Sequence, residues 1–234
     1  MGSSSDEDLI MDIFDRANMA TVINEEPTPD ILRKQKSIYR LFPEFDDRVD
    51  QVAHAGGVKL KNQEKGLWIF EVASASQSGK RYTVNLEWAD LEDKIKQYGR
   101  DRRLWKKDKK SVDLNKLAAA LIDDTDMKIS CSCPAFLYWG GKYIATKRRS
   151  VYKDRELRRP KVRNPKEYGM LCKHLQLVFD VLPMYRSTLA SHLKRYYGSE
   201  LKKVERQVQK DIKGYKKGAE FLAKRQKDQK DEDE

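Results

Sequence analysis

Cysteine is scarce in this chain, with three in 234 residues. So small and odd a number cannot staple a fold, which excludes the disulfide-rich secreted scaffolds. Long apolar runs are missing as well. No stretch reaches the roughly 18 apolar residues of a membrane-spanning helix, so no membrane partner is expected. Met1 to Asp8 is polar and acidic and lacks the basic start and apolar centre of a secretion signal. The expected location is therefore a reducing cytoplasm. No internal repeat recurs at a fixed period, so a solenoid is not expected.

What is abundant is charge. Apolar residues make up 39% and charged residues 36%, enough for a core beneath a densely charged surface, in one or two domains. The net charge of +11 is unevenly spread. Residues 1–55 carry 6 Lys/Arg against 12 Asp/Glu, residues 99–110 carry 7 against 2, and residues 134–171 carry 11 against 3. A polyanion partner is one meaning of such a balance. A solvated, soluble surface is the other.

Periodicity divides the chain. Acidic residues Asp6 to Asp8 precede Leu9, Ile10, Ile13 and Phe14, which predicts a short helix. A second helix is expected from Asp30, with Ile31, Ile38 and Leu41 on one side and Pro43 ending it. Apolar residues then alternate: Val58 and Leu60, then Trp68, Phe70 and Val72, then Tyr82, Val84, Leu86 and Trp88. Period two predicts half-buried antiparallel strands. Ser76 to Gly79 makes the turn between the second and third. Asp113 can cap a helix whose face is Leu114, Leu117, Ala118 and Leu121. Met127, Ile129, Cys131 and Cys133 share one strand parity. A helix follows from about Leu171 to Leu182, closed by Pro183. From Ser199 a long amphipathic helix is expected, its stripe running from Leu201 through Val204, Val208, Ile212 and Tyr215 to Leu222.

All three cysteines fall in one pattern, Cys131-x-Cys133 and Cys172-x-His174, with 38 residues between the halves. Three thiolates and an imidazole form a familiar zinc set. Four protein ligands leave no position for water, which makes such a site structural rather than catalytic. Strand residues two apart project together, so Cys131 and Cys133 can share an ion. Cys172 and His174 need non-helical backbone to do so. The alternative is a pair of ordinary features, buried core cysteines and a surface histidine.

Ile129-Ser130-Cys131-Ser132-Cys133-Pro134 and Leu171-Cys172-Lys173-His174-Leu175 resemble the two halves of a SWIM-type zinc finger, over about residues 126–183. The resemblance implies a ββα zinc fold and binding to DNA or protein, without naming one activity. The insert is longer than is usual in that family. Phe136 to Trp139, Ala145-Thr146-Lys147, Arg163-Asn164-Pro165 and the hairpin from Trp68 to Trp88 are also similar to SWIM-bearing proteins of large tailed bacteriophages. A place in the virion or its assembly is therefore a second expectation beside the host cytoplasm.

The insert interleaves its cations with Phe136, Tyr138, Trp139, Tyr143, Tyr152 and Tyr168. Cations pair with phosphates and aromatics stack on unpaired bases. Lys147, Arg148, Arg149, Arg155, Arg158, Arg159, Lys161 and Arg163 are the candidate nucleic-acid contacts, with DNA favoured over RNA. Arg100 to Lys110, including Trp105, is a candidate extension of this surface. Against this, Phe136, Tyr138 and Trp139 also suit the small core around the metal.

No catalytic constellation stands out, and the chain is expected not to be an enzyme. Gly79-Lys80-Arg81 and Gly140-Gly141-Lys142-Tyr143 are not phosphate-binding loops. Asp123, Asp124 and Asp126 offer the one remote alternative, a metal-dependent nuclease, but they also read as a polar loop after a helix ending near Leu121. His54 and His192 are isolated. Residues 1–20 and 199–222 are candidate protein-binding surfaces.

The expected fold is α+β. An acidic helical arm (1–55) precedes a core (56–183), in which a small antiparallel sheet packs with the zinc-bound ββα unit around the basic insert (134–171). A charged helical tail (184–234) follows.

Overall fold

The computed structural model describes residues 43–161 and 170–232. The expectations for the helices before Pro43, for the arm 1–20, and for Arg163 and Tyr168 lie outside the described residues. The described chain is α+β and falls into two compact units. One comprises 43–91, 119–161 and 170–187, and the other 92–118 and 188–232. The division is discontinuous in sequence, because residues 92–118 go with the C-terminal helix rather than with the sheet.

The first unit is built on a four-stranded antiparallel sheet in simple order: β1 (Val58–Glu64), β2 (Leu67–Ala73), β3 (Arg81–Trp88) and β4 (Met127–Cys131). Alternation decides its faces. Trp68, Phe70 and Val72 of β2 lie opposite Leu86, Val84 and Tyr82 of β3, and all six are buried. Next in register come Met127, Ile129 and Cys131 of β4, opposite Trp88, Leu86 and Val84. The other face is polar, where Asn85 Nδ2 donates to Ser130 Oγ at 2.8 Å. There Lys128 lies 3.4 Å from Glu87 and Lys61 2.6 Å from Glu71.

Two helices complete this layer. Helix α1 (Pro43–His54) buries Val49 and Val52 and packs beside α6 (Lys173–Val181), which in turn crosses the sheet. Pro43 begins this helix. Proline suits the first helical turn, where its missing N–H has no intrahelical partner to lose. Tyr185 closes the sheet's aromatic cluster edge-on, with ring centroids 5.6 Å from Phe70 and 6.3 Å from Trp68. Pro183 sits in a 3₁₀ turn, Leu182–Tyr185, that leads straight into the last helix.

The second unit contains α2 (Leu91–Arg100) from Glu92 onward, a 3₁₀ turn at Arg102–Leu104, the start of α3 (Leu114–Asp124), and α7 (Arg186–Glu232) from Thr188 onward. Asp113 caps α3 as expected, its Oδ1 accepting from the N–H of Asn115 at 3.0 Å and of Lys116 at 3.3 Å. Trp105 is buried, and its indole donates to the Gly99 carbonyl at 2.9 Å. Gly99 lies so close to α7 that an added Cβ would meet Val204 at 3.0 Å. Glu205 accepts from the Val112 N–H at 2.8 Å.

Helix α7 starts 13 residues before the expected Ser199. Its stripe is covered only in part. Leu201 is buried and Val204, Val208 and Ile212 are half-buried, whereas Tyr215, Phe221 and Leu222 are exposed. Among the described residues no helix is long and apolar enough to cross a membrane.

Candidate metal centre

β4 carries Cys131 onto the buried face beside Val84. Just past the strand, the Ser132 N–H donates to the Thr83 carbonyl and the Thr83 N–H to Ser132 Oγ, both at 2.9 Å. This pins the Cys-x-Cys segment to β3. Cys133 keeps an extended backbone (φ −76°, ψ 149°) and caps α4 (Pro134–Tyr138), its Sγ accepting from the Phe136 N–H at 3.4 Å. Cys172 is likewise extended (φ −102°, ψ 162°) at the start of α6, and His174 follows in the first turn. Only Cys172 is non-helical, and that suffices to turn both side chains inward. The ligand atoms of Cys131, Cys133, Cys172 and His174 lie within 4.8 Å of one another, and all four residues are buried. None of the cysteines is in a disulfide.

Such a cluster is poor as a core. Burial pushes the Cys131 and Cys172 thiols above the usual range, and donation from Cys131 and Cys172 drives Cys133 far below it. Three thiols so close together in a buried site cannot all ionise without a cation. His174 presses on Tyr82, with ring centroids 4.7 Å apart. Neither ring nitrogen makes a well-formed hydrogen bond, although both are shut from solvent. Burying unpaired polar atoms costs about 1–3 kcal/mol each. A cation bound at one ring nitrogen would remove that nitrogen's cost, so the donor set fits a metal site.

The insert is partly folded onto the sheet. After α4 and α5 (Gly141–Lys147), residues 150–152 join the free edge of β4. The Ile129 N–H donates to the Ser150 carbonyl at 2.7 Å, and the Tyr152 N–H to the Ile129 carbonyl at 3.0 Å. Gly140 turns the chain in the left-handed region (φ 93°). A Cβ on Gly141 would meet both the Met170 carbonyl and the Phe136 ring at 2.8 Å. The double glycine is thus a packing device, and Gly141 brings α5 against the segment entering Cys172. From sequence alone the pair reads only as a failed phosphate loop.

The candidate contacts separate. Lys147, Arg149, Arg155, Arg158, Arg159 and Lys161 are exposed. The Arg148 side chain is only 4% exposed and lies 4.0 Å from Asp126, which makes it a structural cation rather than a surface one. Arg158 is exposed but engaged, donating to both Glu156 oxygens at 2.9 and 2.7 Å. That guanidinium lowers the Glu156 carboxyl to about 2. Of the three aromatics expected in the core around the metal, Phe136 is buried, while Tyr138 and Trp139 are 72% and 40% exposed. Tyr138 follows Phe136 by two helical positions, about 200° around the axis, and Trp139 lies past the helix as its C-cap. Trp105 is core in the other unit and offers no stacking face.

Asp123 and Asp124 lie in the last turn of α3, and the Asp126 carboxylate accepts from the Met127 N–H at 2.9 Å. Among the described residues, the Cys/His set is the one group of three or more candidate ligands drawn together. His54 is exposed, with Nδ1 2.7 Å from the Asp50 carbonyl. His192 is buried against Tyr196, and burial with nearby Arg195 lowers its pKa. Comparison with known protein families, with curated proteins and with solved structures returns no match to this chain.

Proposed function

We propose that the cluster holds one structural zinc ion in a SWIM-like finger, and that the basic insert clamped by this ion binds nucleic acid, DNA in preference to RNA. The observation that carries the reading is the convergence of Cys131, Cys133, Cys172 and His174 at the two ends of a cationic segment. Zinc suits three thiolates and an imidazole. Bonds of about 2.0–2.3 Å in a tetrahedron place ligand atoms roughly 3.3–3.8 Å apart, inside the observed limit of 4.8 Å. The SWIM reading is supported by β4 ending at Cys131 beside β3, with Cys133 just beyond it, and by α6 opening with Cys-x-His, in keeping with a ββα plan.

On this reading the protein is not an enzyme. Four protein ligands complete the ion's coordination and leave no open position. Clamping the ends of the insert lowers the entropic cost of presenting its cations to phosphates. One feature favours a second role, in protein assembly: Tyr215, Phe221 and Leu222 stay exposed on α7.

The test has two parts. Elemental analysis of the purified chain should find one zinc per molecule. A gel-shift titration should show DNA binding that weakens steeply with salt. A folded Arg149→Glu, Arg155→Glu, Arg159→Glu variant that binds DNA unchanged would exclude the insert as the contact surface. Metal-free protein with an unaltered melting curve would exclude the zinc centre.

A further inference from the structure

Two concavities meet on the insert. One, of about 530 Å³, is lined by Lys128, Lys147, Arg149, Tyr152, Lys153 and Arg155. The other, of about 430 Å³, is lined by Tyr138, Trp139, Arg158, Arg159 and Lys161. Tyr143 and Glu156 belong to both walls, so the two adjoin on one grooved surface. Together the walls carry eight cations against two carboxylates, Glu87 and Glu156. Each carboxylate is already matched by a cation, Lys128 and Arg158 respectively. Among the described residues neither Arg149 nor Arg155 faces a carboxylate, and both are exposed.

We infer that this groove takes a single-stranded polynucleotide, its phosphates on Arg149, Arg155 and their cationic neighbours and its unpaired bases against Tyr138 and Trp139. The inference rests on the nucleic-acid reading above and narrows it. Each concavity falls in the range of about 300–1,000 Å³ that encloses a small-molecule-sized group, such as one nucleotide unit. Exposed aromatic faces beside cations are the elements of a stacking platform. A duplex cannot use them, because its base faces are already stacked within the helix.

Backbone geometry adds to this. Arg149 (φ 59°) and Lys153 (φ 62°) both hold the left-handed conformation, unusual for long side chains. They bracket the 150–152 segment fastened to β4, and both line the same wall. Strain of this kind persists only where surrounding structure holds it, and it gathers at binding sites.

The test compares a labelled oligothymidylate, an oligouridylate and a duplex of equal length, by fluorescence anisotropy on the full-length, metal-replete chain at one salt concentration. Trp68, Trp88 and Trp105 are buried, which leaves Trp139 as the one exposed tryptophan, so its emission reports the groove directly. We expect the single strands to bind at least about tenfold more tightly than the duplex and to quench Trp139. The Tyr138→Ala, Trp139→Ala variant should lose about tenfold or more for single strands while keeping its duplex affinity, metal content and circular dichroism. DNA and RNA strands that differ in affinity would identify the sugar that the groove accepts; both remain single strands. Equal single-strand and duplex affinities, or an unaffected aromatic variant, would overturn the inference and leave nucleic-acid binding standing. Failure to bind any polynucleotide would remove both.

Discussion

One unit buries three thiols and an imidazole at the junction of β4, α4 and α6; the other buries Trp105, whose indole finds its acceptor in the Gly99 carbonyl. The second arrangement is complete as it stands. Its apolar surface is removed from water and its polar atom is bonded. The first places unpaired nitrogen and ionisable sulfur in a site closed to solvent, a donor set that fits a metal ion. One unit should therefore answer to metal and the other to hydrophobic packing.

Metal removal should give the largest effect. Structural zinc in finger peptides contributes about 10–16 kcal/mol of apparent binding free energy that is also folding free energy. With a strong chelator, or in a Cys172→Ser variant, hydrogen exchange should lose protection in β3, β4 and α6. Residues 92–118 and 188–204 should keep theirs. Uniform loss, or none, would break the contrast between the units.

Trp105→Ala comes next, at about 3–5 kcal/mol for a buried aromatic. Protection should fall in residues 92–118 and 188–204, and elemental analysis should still return one metal ion per chain. Metal lost from this variant would show that the two units do not respond separately.

Gly141→Ala tests the junction between insert and ion at smaller scale. The new methyl must displace the Met170 backbone or the Phe136 ring, and overpacking of this kind costs about 1–3 kcal/mol. Met170 lies two residues before Cys172, so the variant should also release its ion at lower chelator concentration in a competition assay.

What could be read from the sequence follows the same contrast. Ligand chemistry is local in identity, so Cys131, Cys133, Cys172 and His174 stood out before any geometry was known. The strands were legible because alternation survives as burial in β2, β3 and β4. Helix α2 was hidden because Glu92, Asp93, Lys94 and Lys96 mask the spacing of Leu91 and Ile95, both buried. Trp105 looked like a stacking residue because cations flank it in sequence; Arg102 covers its ring at 4.2 Å while the indole itself goes inside. Buried Arg148 lies 4.0 Å from Asp126, 22 residues earlier. No periodicity announces such a pairing, and neither does it reveal which face of a five-residue helix will turn inward.

The smallest effect sharpens the comparison from within the second unit. Asp113 satisfies two N–H groups at the start of α3 that have no intrahelical acceptor, and loss of such a cap typically costs about 1 kcal/mol. Asp113→Ala should lower the unfolding free energy measured in urea by that amount, whereas Asp113→Asn, which retains an oxygen acceptor, should recover most of it. Neither change should alter metal content, because the cap belongs to the unit whose stability comes from packing. A shift that depended on added zinc would place α3 under the control of the ion and erase the distinction between the two kinds of core.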